Sequence, residues 1–238
     1  MSAIYKREMR AYFTTGLGYV FFAVFLAITG FAFSMFTLQY AAGGQNIDLS
    51  MYFLIVTFAL VVLLPLLTMK SFAEEKKSKT EQLLLTSPVS LIGMVAAKFF
   101  AAFTVFAGAL AVSSLYFVVI GIYGEPNFGS IFSNLLGMLL IGAAFIAVGI
   151  FLSALTENQL VAAVSTIAVL ILMMAVSMLN SFIDSEVIRS VLSWISVYSR
   201  FTGFTYGLFD FSALLYYASL CFAFLFLTVR VYEKRRWS

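Results

Sequence analysis

Charged residues divide the chain into six long apolar stretches. Uninterrupted gaps between charged side chains lie at 11–47, 49–69, 99–124, 126–156, 158–183 and 211–229. A helix needs about 20 residues to cross a hydrocarbon core of about 30 Å, and every gap is long enough. Transmembrane strands would alternate polar and apolar residues, whereas these gaps are apolar on all sides. The pattern therefore predicts an all-α polytopic membrane protein.

Six transmembrane helices are expected within a single domain, 1–238. We place the spans at about 17–38, 49–69, 92–121, 129–155, 159–182 and 211–230. The aromatic-rich segment 183–210 contains Arg200, whose burial in a seventh span would cost about 2.5–3.5 kcal/mol. We expect this segment to be re-entrant or interfacial on the external side, with two short helices and a break around Gly203 and Gly207.

The first fifteen residues have a two-sided pattern that is typical of an amphipathic helix. One helical face of 2–15 carries the apolar residues Ile4, Tyr5, Met9, Tyr12 and Phe13, and basic residues lie between them at Lys6, Arg7 and Arg10. A helix of this kind lies in the membrane interface with its basic side chains near lipid headgroups. The alternative is an irregular charged tail before the first span.

The distribution of basic residues predicts the orientation. With the N-terminus in the cytoplasm, 12 of the 14 basic residues are cytoplasmic, and only Arg189 and Arg200 are external. Cytoplasmic loops of membrane proteins carry an excess of Lys and Arg. Both termini are therefore expected in the cytoplasm, with the chain in the cell membrane. This count assigns Lys98 to the cytoplasmic loop, so the span interiors are expected to lack Asp, Glu, Lys and Arg.

Composition excludes several kinds of chemistry. The chain is 63% hydrophobic and 11% charged, where a soluble domain carries about 25% charged residues. It has no histidine, which excludes a Ser-His triad and a histidine metal site. No glycine is followed by lysine, so the G-x-x-x-x-G-K-[ST] phosphate-binding loop is missing. The lack of ionisable groups expected in the spans disfavours an ion-coupled carrier.

Segment 74–98 carries the strongest positive signal, because it forms the only long cytoplasmic loop. Glu75 and Lys79 are four residues apart and favour a helix, which good helix formers continue to Leu85. Pro88 ends it, because the residue before a proline avoids the α region. The resulting ridge, 83–85, consists of three exposed leucines and indicates contact with a protein partner or the membrane surface. The alternative is a solvated charged loop.

The six spans, the basic amphipathic start and this loop resemble the permease subunits of type-2 ABC transporters. The loop resemblance runs from Glu74-Glu75-Lys76 through Thr80-Glu81 and Leu83-Leu84 to Pro88-Val89-Ser90. Trp194 to Phe204, Gly207 to Asp210, Tyr216-Tyr217 and Arg235-Arg236-Trp237 are similar to the branch of gliding-motility and nitrous-oxide-reductase-maturation permeases. One departure is Lys79, where the family often has glycine before the loop threonine.

The resemblance implies a non-catalytic membrane subunit that works with separate partners. Two permeases, identical or paralogous, would pair in the lipid bilayer above two cytoplasmic ABC ATPase subunits, which would bind ATP and Mg²⁺. An extracytoplasmic auxiliary subunit is compatible with this arrangement; no nucleic acid, cofactor or metal is expected to bind this chain. The loop helix would be the coupling helix. The implied ATPase contacts are Glu74, Glu75, Thr80, Glu81, Leu83, Leu84, Leu85, Pro88 and Glu157.

The resemblance also implies that spans two and five line the dimer interface and the transport path, as in an exporter of a bacterial inner membrane. The polar candidates there are Thr57, Thr68, Ser165, Thr166, Ser177 and Asn180. Ser and Thr in membrane helices also commonly bond to their own backbone. The alternatives to a permease subunit are an ion-coupled carrier or channel subunit, and a membrane scaffold or assembly protein without transport activity.

Overall fold

A computed structural model of the chain describes residues 1–38, 49–80, 90–123, 127–179, 196–205 and 210–237. Within these ranges all regular secondary structure is helical, which confirms the predicted all-α class. The helices are α1 (Ser2–Thr14), α2 (Leu17–Phe33), a π-helical turn (Ser34–Leu38), α3 (Ser50–Thr68), α4 (Lys70–Lys77), α5 (Leu91–Ser113), α6 (Leu115–Tyr123), α7 (Phe128–Leu155), α8 (Gln159–Leu179), α9 (Val197–Thr205) and α10 (Phe211–Trp237).

Six helical stretches in the described part of the chain are long and apolar enough to cross a membrane, as predicted. They are Leu17–Leu38, Ser50–Lys77, Leu91–Gly121, Phe128–Leu155, Gln159–Ser177 and Phe211–Arg236. The third stretch is interrupted at Ser114, between α5 and α6. There Ser113 Oγ donates to Leu110 O at 2.8 Å and Ser114 Oγ donates to Ala111 O at 2.7 Å. Such back-bonding competes with the helical ladder and commonly bends a helix.

Helix α7 lies at the centre of the bundle and packs against α3, α4, α5, α8, α9 and α10. Small residues on α7 allow close approach of its neighbours. A Cβ added at Gly142 would lie 2.2 Å from Phe106 Cε1 of α5, and one at Gly149 would lie 2.2 Å from Thr68 Oγ1 of α3. The small side chains of α7 therefore serve packing within the chain.

The predicted amphipathic helix is present as α1, and its apolar face packs against protein. Ile4 and Tyr12 are buried, and Tyr5, Met9 and Phe13 pack against the same core. Tyr5 Oη lies 3.1 Å from Thr104 Oγ1 of α5, and Tyr12 Oη donates to Leu67 O of α3 at 3.3 Å. Gly16 has φ 73°, a left-handed conformation that glycine adopts without cost and that turns the chain from α1 into α2. The helix is thus attached to the bundle along its length.

Part of segment 183–210 is described, as helix α9. The break predicted around Gly203 and Gly207 does not fall at Gly203 itself, because α9 continues through this residue and ends at Thr205. Glycine lowers helix propensity without preventing a helix. Phe201 and Phe204 pack α9 against α7, where ring atoms of both lie 3.0 Å from the position that a Cβ would take at Gly137. Arg200 Nη1 donates to Ser212 Oγ at 2.5 Å. Gly207 lies outside the described residues.

Candidate functional site

Charged side chains from three helices meet at one end of the bundle. We call Arg7, Glu8, Glu75 and Lys98 the four-charge cluster; α1 supplies the first two, α4 the third and α5 the last. The two positive and two negative charges balance. The cluster therefore joins the N-terminal helix to the segment that follows span two and to the start of span three.

Lys98 is the buried centre of this cluster, with a side chain that is only 1% exposed. Its Nζ lies 3.1 Å from Glu8 Oε1 and 2.9 Å from Glu75 Oε1, and it donates to Ser71 O at 2.5 Å. An ammonium group has three donors, so these oxygens satisfy all of them. The Phe72 ring centroid lies 4.8 Å from Nζ and shields it further.

Arg7 covers the two carboxylates from the solvent side. Its Nη2 lies 2.7 Å from Glu8 Oε1 and 2.5 Å from Glu75 Oε1, while half of its side chain is exposed. Burial alone would lower the pKa of the Arg7 guanidinium, but the hydrogen bonds and charges of Glu8 and Glu75 outweigh burial and raise that pKa. Arg7 thus binds two carboxylates within the chain, and its contact with lipid headgroups stays a prediction.

Ser153 fixes the start of α4 to the end of α7. Its Oγ accepts hydrogen bonds from Phe72 N and Ala73 N, both at 3.1 Å, and donates to Met69 O at 3.0 Å. Amide groups in the first turn of a helix lack partners inside that helix, and here a side chain of a neighbouring helix supplies the partner. A displacement of α4 would therefore act directly on the central helix.

Two further contacts place the α7–α8 turn and the end of α10 at the same end of the bundle. Lys76 Nζ of α4 lies 3.3 Å from Glu157 Oε1 in this turn, and the Glu157 side chain is 66% exposed. Arg235 Nη2 of α10 donates to Ala154 O at 2.9 Å. The first and last described helices, α1 and α10, thus both reach this end of the bundle.

The predicted loop helix ends earlier than expected. Helix α4 stops at Lys77, so its predicted continuation through residues 78–80 is wrong. The expected Glu75–Lys79 pair is also wrong, because Glu75 is held by Arg7 and Lys98.

Lys79 has φ 56°, in the left-handed region that favours glycine. This is the position at which the resembled permeases often have glycine. Ser78 and Thr80 close the turn, since Thr80 Oγ1 donates to Glu75 O at 3.3 Å.

The predicted ATPase contacts divide between described and undescribed parts of the chain. Glu74, Thr80 and Glu157 are exposed or partly exposed at the charged end, and Glu75 is enclosed in the four-charge cluster. The remaining predicted contacts, Glu81, Leu83, Leu84, Leu85 and Pro88, lie outside the described residues. Contact with an ATPase stays a prediction for all of them.

The predicted pathway residues mostly bond to their own helices. Thr57, Thr68, Ser165 and Thr166 donate to backbone carbonyls three or four residues earlier. Thr57 and Thr68 are fully buried against α7, where Thr57 Oγ1 lies 3.8 Å from Met138 Sδ. Ser177 lies within hydrogen-bonding distance of Ser196, and Asn180 is outside the described residues. A substrate contact by any of them stays a prediction.

Sequence reasoning missed Lys98 and Glu8 as partners. The expectation that no ionisable side chain lies within the spans is wrong, because Lys98 belongs to the stretch Leu91–Gly121 and is buried. Two signals pointed to the pairing: Glu8 is the single acid on an otherwise basic helix, and Lys98 follows the start of an apolar helix by two turns. Either charge alone would be costly to bury, so a partner is required.

Six apolar helices that are long enough to cross a membrane define the chain as a multi-pass membrane protein. The chain belongs to the ABC-2 family of transporter proteins, because the model of that family, described as ABC-2 family transporter protein, matches residues 47–233. No curated protein matches the chain in sequence. The resemblance seen in the sequence is confirmed at the level of this family, and the gliding-motility and nitrous-oxide-reductase-maturation branch stays a prediction.

Proposed function

We propose that the chain is the permease subunit of an ATP-driven exporter, with ATP and Mg²⁺ bound by two separate ABC ATPase subunits. Membership of the ABC-2 family and the six apolar spans support a transport role. The observation that carries the proposal is the charged end, where Lys76 of α4 pairs with Glu157 of the α7–α8 turn and where Glu74, Thr80 and Glu157 are exposed. The ATPases would dock on this surface and on the loop that follows it.

The charged end would face the cytoplasm of a bacterial cell, with the spans in the inner membrane. The positive-inside rule supports this orientation, because 12 of the 14 basic residues are then cytoplasmic. Arg7, Lys76, Lys98 and Arg235 all lie at the charged end. Both termini would also be cytoplasmic, in agreement with the meeting of α1 and α10 at that end.

The contacts of α4 suggest how ATPase motion would reach the spans. Closure of the ATPases on ATP would displace α4, which is hydrogen-bonded to α7 through Ser153 and joined to α1 and α5 through the four-charge cluster. Helices linked in this way move together, and two permease halves would rock as rigid bodies between two states. Glu75 would then transmit force from α4 to α1 and α5 within the permease.

A second permease copy or a paralogue would complete the transport path. Exposed apolar side chains cover one side of α3, at Phe58, Val62 and Leu66, and one side of α8, at Val164, Ile171 and Leu172. Spans two and five would pair there, and lipid would cover what remains. The apolar character of both faces favours a lipid, hydrophobic peptide or drug as substrate, and an extracytoplasmic auxiliary subunit would complete the assembly of the predicted branch.

Cysteine labelling tests the orientation. In a Cys221→Ser background, Asn127→Cys is expected to react with a membrane-impermeant thiol reagent added outside intact cells, and Ser78→Cys is expected to react only after the cells are opened. The reason is that the two residues lie at opposite ends of the bundle, on either side of the bilayer. Labelling of Ser78→Cys in intact cells, with protection of Asn127→Cys, would reverse the orientation and remove the proposed ATPase surface from the cytoplasm.

Substitutions on the proposed docking surface test the function itself. Leu84→Asp and Glu157→Lys are each expected to weaken co-purification of the ATPase subunits, because an apolar contact contributes about 1.5–3 kcal/mol and an interfacial carboxylate about 2 kcal/mol or more. The melting temperature of the permease should change little, since the exposed Glu157–Lys76 pair contributes at most about 1 kcal/mol. Unchanged co-purification by both variants would show that this surface does not bind an ATPase.

A further inference from the structure

A second group of basic side chains lies between the last turns of α10 and the first turn of α5. We call this site the basic recess; its walls are Ser90, which precedes α5, Leu91 and Ile92 of α5, and Arg230, Glu233, Lys234 and Arg236 of α10. The recess is an open cavity of about 840 Å³. None of its residues belongs to the four-charge cluster, so the basic recess is a separate feature of the same molecule.

The basic recess carries an excess of positive charge. Arg230 Nη1 lies 2.6 Å from Glu233 Oε2, which neutralises one of the three cations. Lys234 and Arg236 are exposed and form no ion pair with any residue in the described ranges. The neighbouring Arg235 points instead toward α7, where it donates to Ala154 O. Among the described residues, two positive charges of the recess are therefore not neutralised, which favours a ligand with at least one negative charge.

Apolar surface adjoins the recess on the side of the spans. Ile92, which lines the recess, is 69% exposed, and Phe222 and Phe226 on α10 are also exposed. The Arg230 guanidinium lies 4.9 Å from the centroid of the Phe226 ring, at the boundary between the charged and apolar surfaces. A ligand that matches both surfaces must have an anionic head and an apolar body.

We propose that the basic recess binds the phosphate headgroup of an anionic phospholipid in the cytoplasmic leaflet, with its acyl chains along Ile92 and Phe226. This inference rests on the orientation given under the proposed function, in which the ends of α10 and the start of α5 are cytoplasmic. Basic pockets between transmembrane helices on the cytoplasmic side bind such headgroups. A zwitterionic lipid would bring its own amine against Lys234 and Arg236. A free phosphate would leave the apolar surface unused.

Lipid retention by the full chain in a neutral detergent, read by native mass spectrometry, tests the site. Phosphatidylglycerol should bind to the wild type, and the Lys234→Gln/Arg236→Gln variant should bind it about tenfold more weakly or worse, since it loses two charges at the membrane surface. The matched control is Lys6→Gln/Arg10→Gln, which removes two exposed charges from α1 at the same end and should change retention little. The charge-preserving Lys234→Arg/Arg236→Lys variant should retain the lipid.

Three outcomes would overturn the lipid site. Equal losses in the two glutamine variants would show general attraction of lipid to basic surface. Equal retention of phosphatidylcholine would show that the positive charges do not select an anionic headgroup. Full competition by inorganic phosphate would show that the acyl chains contribute nothing to binding. These measurements use the chain without its ATPases. Loss of the expected lipid binding with normal ATPase co-purification would therefore contradict only the lipid site. Normal lipid binding without ATPase co-purification would contradict only the proposed function.

Discussion

Replacing Lys98 with methionine is expected to lower the free energy of unfolding by about 3–5 kcal/mol. The substitution keeps the length of the side chain but removes the ammonium group that binds Glu8, Glu75 and Ser71 O. Arg7 would remain the one cation of the four-charge cluster beside two carboxylates, and half of its side chain is exposed to solvent. Thermal unfolding in detergent measures this loss.

Two companion variants separate the buried cluster from a general effect of charge. Lys77→Met removes an exposed lysine from the last turn of α4 and should change stability by no more than about 0.5 kcal/mol. Adding Glu8→Gln to Lys98→Met should recover part of the loss, because it restores neutrality with Arg7 and Glu75. Equal melting temperatures for Lys98→Met and Lys77→Met would contradict the buried network.

Gly142→Ala is expected to destabilise the bundle by about 1–3 kcal/mol, although alanine is the better helix former. The new Cβ would lie 2.2 Å from Cε1 and 2.5 Å from Cζ of Phe106, a fully buried ring on α5. Either α5 and α7 must separate or the ring must leave its position, and a close-packed interior resists both. The measurement is again thermal unfolding of the purified chain.

Gly203 supplies the matched control for this prediction. Apart from its chain neighbours and its own helix backbone, no atom of the described residues lies within 4 Å of a Cβ added there, so Gly203→Ala in α9 should be neutral or stabilising by up to about 1 kcal/mol. Combining Gly142→Ala with Phe106→Leu should recover part of the loss, since leucine removes the ring atoms that clash. Destabilisation of equal size by both alanine substitutions would contradict close packing at Gly142.

The spans and the N-terminal helix could be predicted because their signals are local. Long gaps without charge mark the six spans whatever the tertiary structure, because the bilayer imposes the same requirement on every spanning segment. The alternation of apolar and basic residues in 2–15 likewise indicated a helix before its partners were known. What this pattern left open was the surface that the apolar face covers, which includes α5 and α3.

The charged end could not be predicted in the same way, because its partners are distant in sequence. Glu75 has a lysine four residues later, and the local rule pairs them; the structure pairs Glu75 with Arg7 and Lys98 instead. Tertiary contacts likewise place α4, since Ser153 is about 80 residues from the amides that it binds. Local propensity is weak beside such contacts.

Site-specific photo-cross-linking in cells tests most directly the claim that a separate ATPase drives this chain from its charged end. A cross-linking residue at Ser78 or Glu157 should capture a polypeptide that contains a phosphate-binding loop and hydrolyses ATP when purified. The same residue at Asn127 or Asp210, at the opposite end of the bundle, should not capture it. Capture of such a subunit from Asn127 or Asp210 alone, or from none of the four positions, would contradict the account.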